Sequence, residues 1–210
     1  MRHRFTGAAL ALLLLLPASA KAQSWESPTF FAPRPADDIG LYLYDTEGGD
    51  LGMMGIWRQS GRINLGVRAG FGGVSGDRLL LVGAEVFGMV VEPDVDRPLA
   101  IAWVVGAGAT TDGVTAVRIP VGVSAGARLV AGEFAVTPYV HPRIAFDYIT
   151  VDGVGDAGST SDSQFNLDAD LGAELELGAT WRVRAAFTLG DRTAFGFGLA
   201  YRIPRQITVR

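Results

Sequence analysis

The chain has 210 residues, a formal net charge of -4 and no cysteine, and 49% of its residues are hydrophobic. That length suits one domain with a sizeable core, and the weak negative balance gives no reason to expect nucleic acid, whose binders concentrate basic charge on one face. The missing cysteines exclude disulfides, zinc-thiolate sites and thiol catalysis together.

At the N-terminus Arg2, His3 and Arg4 precede the apolar run 8–16, followed by Pro17 and the small residues Ala18, Ala20 and Ala22. This order predicts a secretory signal peptide over residues 1–22, cleaved after Ala20-Lys21-Ala22, so that the mature chain begins near Gln23. The run is shorter than the ~20 apolar residues a spanning helix needs. Residues 23–37, with Pro28, Pro33 and Pro35, are expected to be irregular.

Turn-like clusters, among them Thr46-Glu47-Gly48-Gly49-Asp50, Ser75-Gly76-Asp77, Thr111-Asp112-Gly113 and Gly190-Asp191-Arg192, then divide residues 38–203. They predict strands at 38–46, 50–58, 62–74, 78–91, 99–110, 114–130, 134–151, 163–177, 181–190 and 193–203, most near the length of a tilted membrane-spanning strand. If the first two runs are not strands, the count falls from ten to eight. Residues 204–210 are left as a tail.

These runs alternate. Phe165, Leu167, Ala169, Leu171, Ala173, Leu175 and Leu177 oppose Gln164, Asn166, Asp168, Asp170, Gly172, Glu174 and Glu176; Val67 and Ala69 oppose Arg68 and Gly70; Val117, Ile119 and Val121 oppose Arg118 and Gly122. Val183, Ala185 and Phe187 oppose Arg182 and Arg184, and Phe195, Phe197 and Leu199 oppose Gly196, Gly198 and Ala200. In an extended chain one face is apolar and the other polar.

Two barrels satisfy this pattern. A soluble, lipocalin-like carrier in the periplasm would turn the apolar face inward around a greasy ligand. A membrane barrel would turn it outward to lipid, and must close on itself because hydrocarbon cannot satisfy an open sheet edge. The second is favoured by a polar face rich in Gly, Ala and Ser, as a narrow lumen requires, and by charges that are nearly all Arg, Asp and Glu, suited to bidentate pairing. A hairpin centred on Ala179 also sets Glu176 opposite Arg182 and Glu174 opposite Arg184. The expected lumenal charge network is Arg68, Arg118, Arg128, Arg143, Asp168, Asp170, Glu174, Glu176, Arg182, Arg184 and Arg202.

With its signal peptide, with Thr137-Pro138-Tyr139-Val140 opening a strand and with the run Gly198-Leu199-Ala200-Tyr201-Arg202-Ile203, the chain resembles small bacterial outer-membrane β-barrels of the OmpA/OmpX type. The resemblance implies an all-β, closed antiparallel transmembrane barrel in the outer membrane of a Gram-negative-type bacterium, with both termini periplasmic and the loop from Asp152 to Ser163 outside the cell. It implies outer-membrane lipid and the outer-membrane assembly machinery as partners, small solutes or ions as the most such a lumen would pass, and no cofactor. Gly198, Tyr201 and Ile203 would carry the C-terminal assembly signal, although Ile203 stands where an aromatic is usual and residues 204–210 continue past the usual end.

Other residues admit chemistry. His141, the sole histidine after the leader, shares a face with Tyr139, Arg143 and Asp147 and is the one candidate acid/base for a lipid-modifying enzyme. No Gly-x-Ser-x-Gly elbow accompanies it; the serines of Gly158-Ser159-Thr160-Ser161 lie in a loop. Asp168, Asp170, Glu174 and Glu176, or loop acids Asp152, Asp156 and Asp162, could hold calcium, but the arginines compete for the strand acids. Trp57, Trp103, Trp181, Tyr148 and Tyr201 are expected as interface anchors. Pro120, Pro138 and Pro142 each remove a ladder donor inside a predicted strand.

Overall fold

The computed structural model describes residues 27–46, 51–74, 77–111, 114–151 and 160–204. The predicted leader, the acids Asp152 and Asp156, Ser159 and residues 205–210 lie outside them.

Eleven antiparallel strands follow one another: β1 (Asp38–Thr46), β2 (Leu51–Gln59), β3 (Asn64–Val74), β4 (Asp77–Val91), β5 (Leu99–Thr111), β6 (Val114–Ala127), β7 (Leu129–Ala131), β8 (Phe134–Val151), β9 (Thr160–Leu177), β10 (Trp181–Gly190) and β11 (Ala194–Arg202). β1 pairs with both β2 and β11, and β8 with both β6 and β9, so the sheet closes. β6 and β7 are one strand broken at Arg128, because Gly126↔Tyr139 and Leu129↔Val136 lie in the same register along β8. The architecture is therefore a closed ten-stranded barrel, and the first two predicted runs are strands. Both chain ends leave from one rim, at Asp38 and Arg202.

The three strand prolines are accommodated by gaps in the ladder. Pairing of β5 with β6 skips from Val105↔Val121 to Gly108↔Arg118, across Pro120. Pairing of β6 with β8 skips from Gly122↔Arg143 to Ala125↔Val140, across Pro142, and stops at Gly126↔Tyr139, next to Pro138. Pro138 and Pro142 stay within an unbroken register with β9. A residue's N–H and C=O point to the same neighbouring strand, so both prolines direct their missing donor to the β6–β8 seam. Register survives each gap because flanking pairs on both sides fix it.

The faces separate as the alternation requires. Outward residues such as Leu41, Val121, Ile144, Leu171, Phe197 and Leu199 are exposed, whereas Arg58, Arg118, Asp168, Asp170 and Arg184 on the inner face are buried. Trp181 and Tyr201 stack edge-on outside the terminal rim, 5.3 Å apart. In the loop between β4 and β5, Asp94 accepts hydrogen bonds from the backbone N–H of Asp96 and Arg97 and from the Arg97 guanidinium. The Arg97 side chain and backbone hold its carboxyl below the usual range.

The barrel is not hollow. Residues 27–33 form no strand, yet Ser27, Thr29, Phe30, Phe31 and Ala32 are buried, enclosed by inward side chains of strands on opposite walls. An eight-stranded barrel is just wide enough for its own side chains to fill, and diameter grows with strand number. Ten strands leave surplus space, and this segment takes it. Phe30 joins Tyr42, Tyr44, Met54, Ile56, Leu81 and Ala186 in one apolar cluster; Phe31 joins Phe87, Ala102 and Val104 in another.

Candidate functional site: the lumenal charge network

Three groups of charged side chains line the inner wall. Near the terminal rim, Arg184 donates from Nε to Glu174 (2.6 Å), from Nη1 to the Tyr42 hydroxyl (2.7 Å) and from Nη2 to Asp38. Arg182 pairs with Glu174 and lies 3.7 Å from Glu176, which in turn accepts two hydrogen bonds from Arg128 at 2.7 and 3.0 Å. The β9–β10 register sets Arg182 opposite Glu176 and Arg184 opposite Glu174. Arg128 is half-exposed and Arg202 exposed at this mouth, outside the buried part of the network.

A second group joins β2, β3 and β4: Arg58 donates to Glu85 from Nε (2.6 Å), and Arg68 donates to the other oxygen of Glu85. The third spans β6, β8, β9 and the turn before β11. There Arg118 reaches Asp168 (2.9 Å) and Asp147 (3.2 Å), Arg143 reaches Asp170 (2.9 Å) and Asp168 (3.7 Å), and Arg192 reaches Asp147. Asn166 and Thr188 donate to Asp147 and Asp170.

The wall thus brings together Arg68, Arg118, Arg143, Asp168, Asp170, Glu174, Arg182 and Arg184 as buried groups, but divides them among three clusters. Asp38, Arg58, Glu85 and Arg192 are buried in the same clusters, although none of them belongs to the network expected from alternation. Glu85 sits in a strand apolar on both faces, LLLVGAEVF, where alternation is weak; a single acid in such a run was the available signal. Ionised groups in a low-dielectric interior are tolerated only when paired and hydrogen-bonded, and guanidinium forks supply both.

The buried segment connects two of these groups. Arg58 donates to the carbonyls of Phe30 (2.9 Å) and Thr29 (2.8 Å), and Thr29 donates from its N–H (2.9 Å) and hydroxyl (2.6 Å) to Asp170. Thr29 Oγ1 is also 2.6 Å from Nδ1 of His141. A hydroxyl, an imidazole and a carboxylate therefore meet, and Thr29, His141 and Asp170 are all buried. This is not a Ser-His-Asp relay, in which the imidazole stands between hydroxyl and carboxylate.

The strand carboxylates proposed as calcium ligands are occupied by arginines, and among the described residues no group of three or more acids and histidines is placed to hold a metal. Gly198 faces the lumen against the ring of Tyr42, while Tyr201 and Ile203 lie outside.

No protein-family model matches the chain, and no curated protein matches it. Among solved structures it is similar to the N-terminal β-barrel domain of Pseudomonas aeruginosa OprF, at 10% identity and a TM-score of 0.42, over 81% of this chain and 100% of that one. It is also similar to the β domain of the Bordetella autotransporter BrkA, at 19% identity and 0.45, over 81% and 86%. A third similarity is to the outer-membrane enzyme PagL, at 12% identity and 0.39, over 80% and 99%. At these levels the likeness concerns barrel architecture alone.

Proposed function

We propose that the chain is an integral outer-membrane β-barrel without enzymatic activity, exported through its N-terminal leader and closed at rest. One observation carries this reading: large apolar side chains cover the outside of a closed barrel, while arginines and carboxylates are buried within it. In water that distribution would expose the greasy face and bury charge; in lipid it satisfies every strand and leaves no edge. A lipocalin-like carrier needs the reverse, charges outside and an apolar cavity within, whereas here the charged groups are buried inside and the large exposed side chains are apolar.

On this reading the partners are outer-membrane lipid and the assembly machinery that reads Gly198, Tyr201 and Ile203. The role is structural, or adhesive through the β8–β9 hairpin, which continues eight residues beyond the last β9–β10 pair at Asp168↔Gly190. A narrow pore for ions or small solutes is the third form of the same reading. The enzymatic form would need His141, and His141→Ala is expected to leave the lipid profile of the membrane unchanged.

The test is fractionation of cells expressing the full chain, followed by gel electrophoresis with and without boiling. A membrane-bound band whose mobility changes on heating is expected. Soluble periplasmic protein with no shift would overturn the assignment.

A further inference from the structure

The segment 27–33 is held as a ligand is held. It shares no ladder with the wall, and the bonds that seat it come from wall side chains: Arg58 to two carbonyls, Ser124 to the carbonyl of Phe31 (2.7 Å), and Asp170 receiving the N–H and hydroxyl of Thr29. Its two aromatic rings enter separate pockets. Phe30 stacks on Tyr42 at 4.4 Å, whereas Phe31 meets Phe87 at 5.4 Å and lies under the Arg58 guanidinium. Phe30 has a φ of 49°, a left-handed conformation that a bulky residue adopts only where its surroundings impose it; this kink parts the adjacent rings.

The wall is shaped for the segment. A Cβ on Gly196 would come within 2.6 Å of the Phe30 ring. The segment joins the wall at the rim where β1 begins and takes part in no strand pairing, so withdrawing it breaks none. Its departure would free Arg58, Ser124 and Asp170 to hydrate, which opens a polar lumen rather than a collapsed one.

From this we infer that the lumen contains a peptide-binding site, specific for an uncharged segment with two adjacent aromatic residues, which the chain fills with its own residues 27–33, and that this occupancy closes the barrel. The inference rests on the membrane-barrel reading. The site accepts the same peptide in trans once the tethered copy has lost its anchors.

The experiment is planar-bilayer conductance of the full chain. Wild type is expected to stay shut, and the Phe30→Ala/Phe31→Ala variant to conduct at least tenfold more. The free heptapeptide Ser-Pro-Thr-Phe-Phe-Ala-Pro, added at the rim side, is expected to return it to the shut level, while a scrambled heptapeptide is not. A heat-shifting, membrane-inserted variant that conducts no more than wild type, or one that the heptapeptide does not close, overturns the proposal and leaves the barrel assignment intact. Should the double variant fail to give a shifting band, Thr29→Val is read in the same way, with wild-type conductance again the refuting result. Wild-type protein that is soluble and unshifted overturns both readings.

Discussion

Removing one arginine from the terminal-rim cluster should cost more than removing the acid it grips. In Arg184→Ala, Glu174 keeps Arg182, but Asp38 is left buried with no other ion pair among the described residues. Stripping one partner from a buried pair costs roughly 3–5 kcal/mol, and an orphaned carboxylate places this variant near the upper end, about 5. In Glu174→Ala, Arg184 keeps Asp38 and Tyr42, and Arg182 keeps Glu176 at 3.7 Å, so about 3 kcal/mol is expected. For a chain of this size each kcal/mol is worth roughly 2–4 °C, which predicts losses of about 10–20 °C and about 6–12 °C respectively. The double variant should lose less than the sum, since the two residues share one contact. The assay is the fraction of the fast-migrating folded band after stepped heating in detergent. Equal melting of wild type and both single variants, or a greater loss for Glu174→Ala, would refute the argument.

Two further outcomes follow from the barrel's surfaces. Val121→Arg, at the middle of an outward strand face, should destabilise the protein in bilayers by about 2–4 kcal/mol, while Leu129→Arg near the rim should cost about 0–1; urea titration in vesicles checks both, and an innocuous Val121→Arg would deny that lipid covers that face. Pro142→Val returns a donor to the β6–β8 seam and should raise stability by about 1 kcal/mol, read from the same titration; a loss would show that the ladder gap has another origin.

Much of the wall is legible in the sequence because its causes are local. Period-two alternation and Gly/Asp turns mark where each strand begins and ends, and β1 and β8 lie at the expected 38–46 and 134–151. The Glu174–Arg184 pairing is readable for the same reason, since a hairpin centred on Ala179 relates residues only ten apart. β9 begins at Thr160, earlier than expected, because Thr160, Ser161 and Asp162 pair along β8 as a polar extension that hydrophobic alternation does not reach.

Alternation and turn chemistry alone specify a chain of strands with one greasy and one charged face. Which charges meet depends on closure, because joining the first strand to the last sets Asp38 beside Arg184, 146 positions apart, and the buried N-terminal segment then carries Thr29 to Asp170, 141 apart. Residues 27–33 carry no periodicity that would announce a place in the lumen. Their position follows from a property of the assembled wall, a ten-stranded circumference wider than its own side chains can fill.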